Sequence, residues 1–461
     1  MKRTDLLPNA NNLMNSFLSN SIGRNKDVYS FINLINSIEG NYSLAIDSQW
    51  GDGKTFFVKQ SKMILDALNK NRYQCDEYTD EEYTKIIRKV ELDNNIDNSV
   101  PHITVYYDAW ENDNDNDPML SIVWSIISQL SLTKSFEGNR AKLDIISAII
   151  SFITDKNIVE FKENLSSENF LEDIEKNKNI KEKINDFIDD LFEEHGDRIV
   201  IFIDELDRCK PSYAVNLLER VKHYFINDRL TFVFSVNIEQ LQHTIKQIYG
   251  YQFNGFRYLD RFFDKRLFLP AADQSVFLHS INYDVTSYTY DIMANIMIRE
   301  CNMSLREQTR YIQMIKNTGY DIVHNENKFN RIFVPNKKTG SFVLSIFHPI
   351  CVALYISDNE KYYNFICGQY TDIVEKVLNN PNMQDSILWG VGSYLYESNE
   401  IRPTADEANI QAYVNRAIMV YNAVFKSNTN QKIGLIIIND DVRKILKDLL
   451  NILSSNCNYD N

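Results

Sequence analysis

The sequence predicts an α/β core, a parallel sheet of about five strands with helices on both faces, followed by an all-α C-terminal domain. Three observations predict it. The apolar run Ser43-Leu44-Ala45-Ile46-Asp47 meets a glycine-containing turn and then a helical stretch from Thr55 to about Leu68, a strand–loop–helix unit. A second run, Ile199-Val200-Ile201-Phe202-Ile203, is apolar at every position and ends in Asp204-Glu205. Uninterrupted apolar runs fit central parallel strands covered on both faces. Beyond Pro270 the spacing of apolar residues is mostly helical to about Leu453.

The remaining elements follow in chain order. Residues 1–24 form an N-terminal arm with Leu13 and Phe17 at helical spacing, and Val28, Phe31, Ile32, Leu34 and Ile35 mark an amphipathic helix. Residues 71–99 are rich in Asp, Glu, Asn, Tyr and Lys and are expected to be a solvated excursion. The β-branched and aromatic run Ile103-Thr104-Val105-Tyr106-Tyr107 is a strand, followed by an acidic loop to Asp117 and a helix from Pro118 through Leu130. Residues 134–197 carry many charges and few breakers, and are expected to be a helical insertion. A helix over Tyr213 to Phe225 and an apolar strand over Leu230 to Val236 come next. Phe253 to Pro270 supplies a helix and the short strand Leu267-Phe268-Leu269. The core therefore spans 25–270 and the C-terminal region 271–461. There, Phe342 to Tyr355 and Ile433 to Ile438 are the expected core segments, and 325–340 a loop or short hairpin.

Composition bounds the function. The net charge of −14 argues against a broad basic surface for nucleic acid, without excluding a local patch. The six cysteines (Cys75, Cys209, Cys301, Cys351, Cys367, Cys457) form no CxxC pair, so they are expected to be free thiols of a reducing compartment. His348 and Cys351 share a short spacing, which more often marks a core feature than half of a zinc site. The N-terminus is polar, without the apolar stretch a signal peptide needs. No window reaches about 18 consecutive apolar residues; Ile145 to Thr154 comes nearest and is expected to be a buried or partner-facing helix. These features predict a soluble, cytoplasmic chain with no integral membrane span.

The turn after Asp47 reads Ser48-Gln49-Trp50-Gly51-Asp52-Gly53-Lys54-Thr55, followed by Phe56. It matches the phosphate-binding pattern G-x-x-x-x-G-K-[ST] except that Ser48 stands at the first glycine. In such a loop Gly51 and Gly53 allow backbone N–H groups to converge on a phosphate. Lys54 reaches the β/γ-phosphates, and the Thr55 hydroxyl ligates Mg²⁺ at a helix N-terminus that itself favours anions. The alternative is a glycine-rich turn that only opens a helix. Such a site also needs a carboxylate at the end of a neighbouring buried strand to hold Mg²⁺, which Asp204 fits. Glu205, beside it, can polarise an attacking water; an acidic turn after a core strand is the alternative. Asn237 ends the next apolar strand, where it can contact the γ-phosphate or the lytic water, or cap a helix.

The combined pattern resembles the KAP family of P-loop NTPases, within the broader STAND-like ATPases. The residues that carry it are Trp50-Gly51-Asp52-Gly53-Lys54-Thr55, then Tyr107-Asp108-Ala109-Trp110, and above all Ile203-Asp204-Glu205-Leu206-Asp207-Arg208-Cys209-Lys210-Pro211. Tyr258-Leu259-Asp260-Arg261-Phe262-Phe263-Asp264 and Ser304-Leu305-Arg306-Glu307-Gln308-Thr309-Arg310 extend it. The resemblance implies an additional-strand P-loop core, with the Asn237 strand between the P-loop strand and the Asp204 strand. It implies ATP and Mg²⁺ as ligands and a conformational or assembly switch, acting through self-association or a partner effector in a bacterial conflict system. A nucleotide-binding scaffold with little turnover is the alternative. Two features depart from the family: Ser48, and a polar insertion where many members carry transmembrane helices. Arg261 and Arg306 are candidates to stabilise charge on the transferring phosphoryl group, or else structural ion pairs; Asp207-Arg208 is expected to organise the acidic motif.

Overall fold

The computed structural model describes residues 7–71, 77–93, 95–96, 100–115, 117–130, 182–189, 191–192, 196–333, 336–383, 385, 387, 390–397, 400 and 407–445. Most of the expected helical insertion, including Ile145 to Thr154, lies outside these residues, as do Cys75, Cys457 and the C-terminal tail. The chain divides into two compact units, with the boundary between Phe277 and Leu278.

The first unit is built on five strands: β1 (Tyr42–Asp47), β2 (His102–Asp108), β3 (Arg198–Asp204), β4 (Leu230–Val236) and β5 (Lys265–Phe268). They lie in the order β2-β3-β4-β1-β5, and every neighbouring pair is parallel. The strand that ends in Asn237 thus sits between the P-loop strand and the Asp204 strand, as expected. The apolar run of β3 explains its central place. Ile199, Ile201 and Ile203 join one core cluster, while Val200 and Phe202, of opposite parity, are also fully buried.

Helix α1 (Ala10–Ser19) buries Leu13 and Phe17, and α2 (Asn25–Asn36) buries Val28, Phe31, Ile32 and Ile35. The phosphate loop opens α3 (Lys54–Leu68), which packs on β2 and β4. Residues 80–93, expected within a solvated excursion, form helix α4 (Asp80–Asp93) and bury Tyr83, Ile86 and Val90. The Tyr29 hydroxyl donates to Asp93 Oδ2 at 2.7 Å. The charged composition of this segment hid a narrow apolar stripe at helical spacing, enough to dock a helix against α3. Helices α5 (Pro118–Gln129) and α6 (Pro211–Tyr224) cover the Ile199/Ile201/Ile203 face. Helices α7 (Ile238–Tyr249) and α8 (Gly255–Leu259) follow β4.

Among the described residues, the regular structure of the second unit is helical except for one hairpin. Its core gathers around α12 (Lys337–Ser357), with α9 (Thr289–Glu300), α10 (Leu305–Ile315) and α13 (Glu407–Phe425) contributing. The 325–340 tract, expected as a loop or hairpin, instead forms α11 (Glu326–Phe333) and the first turn of α12. Phe333, Ile322 and Phe329 pack together and turn this polar sequence into a helix. Ile433 to Ile438 is core as expected but not helical. It is an antiparallel hairpin of β6 (Gln431–Ile433) and β7 (Ile436–Ile438), turned at Gly434 with φ 58°. Helix α12 is long and apolar enough to cross a membrane, and Phe342, Val343, Ile346, Phe347 and Ile350 on it are fully buried in this unit's core. His348 and Cys351 on the same helix are buried, and His348 Nδ1 lies 3.0 Å from the Tyr290 hydroxyl.

Ser304 begins α10 in a capping box: its Oγ accepts from the Glu307 N–H at 3.4 Å and its own N–H donates to Glu307 Oε2 at 2.9 Å. Ser304→Ala is expected to cost about 1 kcal/mol and to lower the melting temperature by about 2–4 °C, read by thermal denaturation of the full chain.

Candidate phosphate-binding site

Parallel strands bring their carboxyl ends to one edge, and ligands of such sheets sit there. In β1 and β4 Asp47 pairs with Val236, in β3 and β4 Asp204 pairs with Ser235, and in β2 and β3 Asp108 pairs with Asp204. The phosphate loop leaves β1 at this edge and the acidic motif leaves β3 at the same edge.

Gly51 and Gly53 of the loop have φ of 92° and 89°. A side chain at either would be strained, so glycine is what lets the loop curl back on α3. Four hydrogen bonds shape the loop. Gln49 N–H donates to Asp52 Oδ2 at 3.1 Å, Arg24 Nη1 donates to the Asp52 carbonyl at 2.5 Å, and Lys54 Nζ donates to the Ser48 and Gln49 carbonyls at 2.6 and 3.0 Å. Burial lowers the Lys54 pKa, against the opposing charges of Asp207, Asp204, Asp52 and Glu205. Burial likewise lowers that of Arg24, to about 10. Thr55 and Phe56 occupy the first turn of α3, Phe56 buried and Thr55 partly exposed.

At the end of β3, Asp204 is buried; its Oδ2 accepts from the Tyr106 hydroxyl and its Oδ1 from the Glu205 N–H, both at 3.0 Å. Glu205 has φ 60°, and its Oε2 lies 2.5 Å from Arg208 Nε. Burial and the adjacent Asp204 charge push the Glu205 carboxyl up to about 7, against the pull of Arg208. Asp207 is buried, and burial holds its carboxyl above the usual range in spite of Trp50 and Lys54. Its Oδ2 accepts from Trp50 Nε1 at 2.5 Å, while its Oδ1 is buried with no hydrogen-bond partner.

The structure therefore brings together Ser48 to Thr55, Asp204 and Glu205. Asn237 caps α7, its Oδ1 accepting from the Gln240 N–H at 3.2 Å, so the capping role read from sequence is met. Arg261 is exposed just after α8, and Arg306 is exposed on α10 of the second unit.

The model of the KAP family P-loop domain matches residues 24–321, more than half of the chain. The chain belongs to this family. No curated protein sequence matches the chain. As a KAP P-loop domain it is a member of a nucleotide-binding NTPase family, and its match runs past Phe277 to include α9 and α10.

Several contacts of this KAP site carry no signal in sequence spacing. Arg24 supports the loop from 28 positions away, Tyr106 reaches Asp204 across 98, and Trp50 bonds Asp207 across 157. Arg266 on β5 pairs with Asp47 Oδ2, whose Oδ1 accepts from the Ile238 N–H at 2.9 Å. This carboxylate ties the base of the loop to α7 and β5. An arginine followed by a helix before the first strand is the one hint that could have drawn attention to Arg24.

Proposed function

We propose that this chain binds ATP with Mg²⁺ and hydrolyses it, as a conformational or assembly switch. One observation carries the reading. Lys54 and Thr55 at the start of α3 and Asp204-Glu205 at the end of β3 lie at one edge of the sheet, with β4 between the two strands. Adjacent N–H groups of a glycine loop and a buried ammonium suit the β- and γ-phosphates. Ser48, where the pattern has glycine, contributes its carbonyl to Lys54 in this state.

The donor set fits magnesium. Thr55 offers a hydroxyl and Asp204 a carboxylate, hard oxygens of the kind Mg²⁺ takes, and the buried Asp207 Oδ1 adds a further acceptor. Bound magnesium would neutralise charge on the phosphate oxygens. Lys54 would hold the phosphate chain, and Glu205 would accept a proton from the attacking water. Asn237 stands at the end of β4, where a side chain can orient that water. Arg261 would supply positive charge to the phosphoryl group, in the same subunit or a neighbouring one.

The test is phosphate release from ATP with Mg²⁺, repeated with GTP and with a chelator. Release that persists unchanged without divalent metal would overturn the metal assignment. Tyr106→Phe, which removes a donor to Asp204, is expected to raise the Mg²⁺ concentration for half-maximal release about tenfold, with metal-free nucleotide affinity unchanged.

A second reading, a scaffold with little turnover, is favoured by the engagement of Glu205 by Arg208. Nucleotide-dependent stabilisation without phosphate release would support it. The setting we propose is cytoplasmic, in a bacterial anti-phage or conflict system, with self-association or a partner effector as the output. Family membership supports the conflict-system role, and mass measurement with and without a non-hydrolysable ATP analogue tests the assembly.

A further inference from the structure

Glu205 is set apart by its backbone. Among the described residues four non-glycine residues have positive φ: Asn20, Asn282, Asn302 and Glu205. Asparagine tolerates the left-handed region through its short polar side chain; glutamate gains nothing of the kind. A residue held there needs surroundings that over-determine it, and such positions collect at functional sites.

The surroundings are visible. The Glu205 N–H donates to Asp204 Oδ1 at 3.0 Å, and the Glu205 carbonyl accepts from the Arg208 N–H at 3.1 Å. The Glu205 carboxylate meets Arg208 Nε at 2.5 Å. Arg208 is held from outside in turn. Its guanidinium lies over the indoles of both Trp50 and Trp110, 5.9 and 5.7 Å from their ring centres. Both indoles are otherwise about half exposed, Trp50 at 45% and Trp110 at 53%. Asp207, next to Arg208, accepts from Trp50 Nε1 at 2.5 Å. Trp50 itself rides on the phosphate loop, beside Gly51.

We propose that Arg208 is a positioning residue that restrains Glu205, and that Trp50 ties this restraint to the state of the phosphate loop. The inference rests on the reading of Glu205 as the base. A carboxylate oxygen engaged by a guanidinium N–H has that lone pair occupied, and the charge-assisted contact holds the side chain in one place. Releasing the Arg208 guanidinium frees the carboxylate. Any movement of Trp50 with the loop removes one wall from Arg208 and the donor from Asp207. Loop occupancy thus decides when the base is available.

The experiment compares the full-length wild type with Arg208→Ala, Arg208→Lys and Trp50→Phe, each also combined with Glu205→Gln. Single-turnover phosphate release and affinity for a fluorescent ATP analogue are read for all. Arg208→Ala is expected to raise the rate about fivefold or more, with affinity within about threefold of wild type. Arg208→Lys, which keeps the cation, stays within about twofold, and Trp50→Phe gives a smaller rise in the same direction. With Glu205→Gln present, none of the three changes the rate.

A fall in rate for Arg208→Ala at unchanged affinity makes Arg208 a group that serves the phosphoryl transfer directly, and overturns the restraint. So does release that stays silent in both wild type and Arg208→Ala while the analogue binds. A rise that persists with Glu205→Gln also overturns it, because Arg208 then acts elsewhere, and the ATPase reading stands. If Glu205→Gln alone leaves release intact, the base assignment has failed and the restraint falls with it. Failure of wild type to bind the analogue at all overturns the nucleotide reading and the restraint with it. Circular dichroism melting checks folding. Where Arg208→Ala does not fold, Trp50→Phe decides: a Glu205-dependent rise upholds the proposal and its absence overturns it.

Discussion

Lys54→Ala is expected to lower phosphate release on the order of 100-fold or more and to abolish stabilisation of the fold by nucleotide. The reason lies in the environment of the ammonium. It is buried, bonded to the Ser48 and Gln49 carbonyls, and balanced against Asp207, Asp204, Asp52 and Glu205. Alanine removes the ammonium that offsets the charges of Asp207, Asp204, Asp52 and Glu205, so a triphosphate meets a more negative field. At a ligand concentration about 100 times Kd the wild type gains about 2.7 kcal/mol of stability, and the variant gains none. Thermal melting with and without ATP reads this separately from turnover. A variant that keeps both the stabilisation and the release would remove Lys54 from the phosphate site.

Glu205→Gln is expected to reduce turnover by about 10²–10⁴-fold with nucleotide affinity retained, the signature of a lost base. The pH dependence has a defined sign. With its pKa pushed up to about 7, the wild-type carboxyl is protonated below that value and cannot accept a proton. Turnover per encounter, kcat/KM, is therefore expected to rise with pH through about 7 and level off above it, falling about tenfold per pH unit on the acid side. The Gln variant has no group to titrate there, so its residual rate is expected to be flat across the same range. An acid limb that survives unchanged in Glu205→Gln assigns the titration to another group.

Much of the fold was legible because its signals are local. The apolar run of β3 reads as a central strand without knowledge of its neighbours, and β1 is marked by the glycine turn that follows it. The helices missed in sequence, α4 and α11, share one cause. Each buries a narrow stripe, Tyr83, Ile86 and Val90 in one and Phe333 with its neighbours in the other, inside a segment whose mean composition is polar. The hairpin at Gln431–Ile438 was missed for the opposite reason. A short apolar run is compatible with helix or strand, and only its antiparallel partner settles which. The candidate site divides in the same way. Ser48 to Thr55 and Asp204-Glu205 stand together in sequence patterns, whereas Arg24, Tyr106, Asp47 and Arg266 reach the site from distant positions through single contacts.

The sequence by itself determined the phosphate loop, the acidic strand end, their order along the chain and hence the family. Those features are contiguous, and backbone chemistry at a glycine turn or a strand end depends on residues next to one another. Only the tertiary structure decided how the loop and the acidic motif are wired together. The Trp50–Asp207 hydrogen bond, the placement of Arg208 over two indoles and the left-handed backbone of Glu205 depend on where β1, β2 and β3 sit in the sheet. Strand order sets those distances, and burial of the acidic motif at the sheet edge then raises the Glu205 carboxyl toward neutrality.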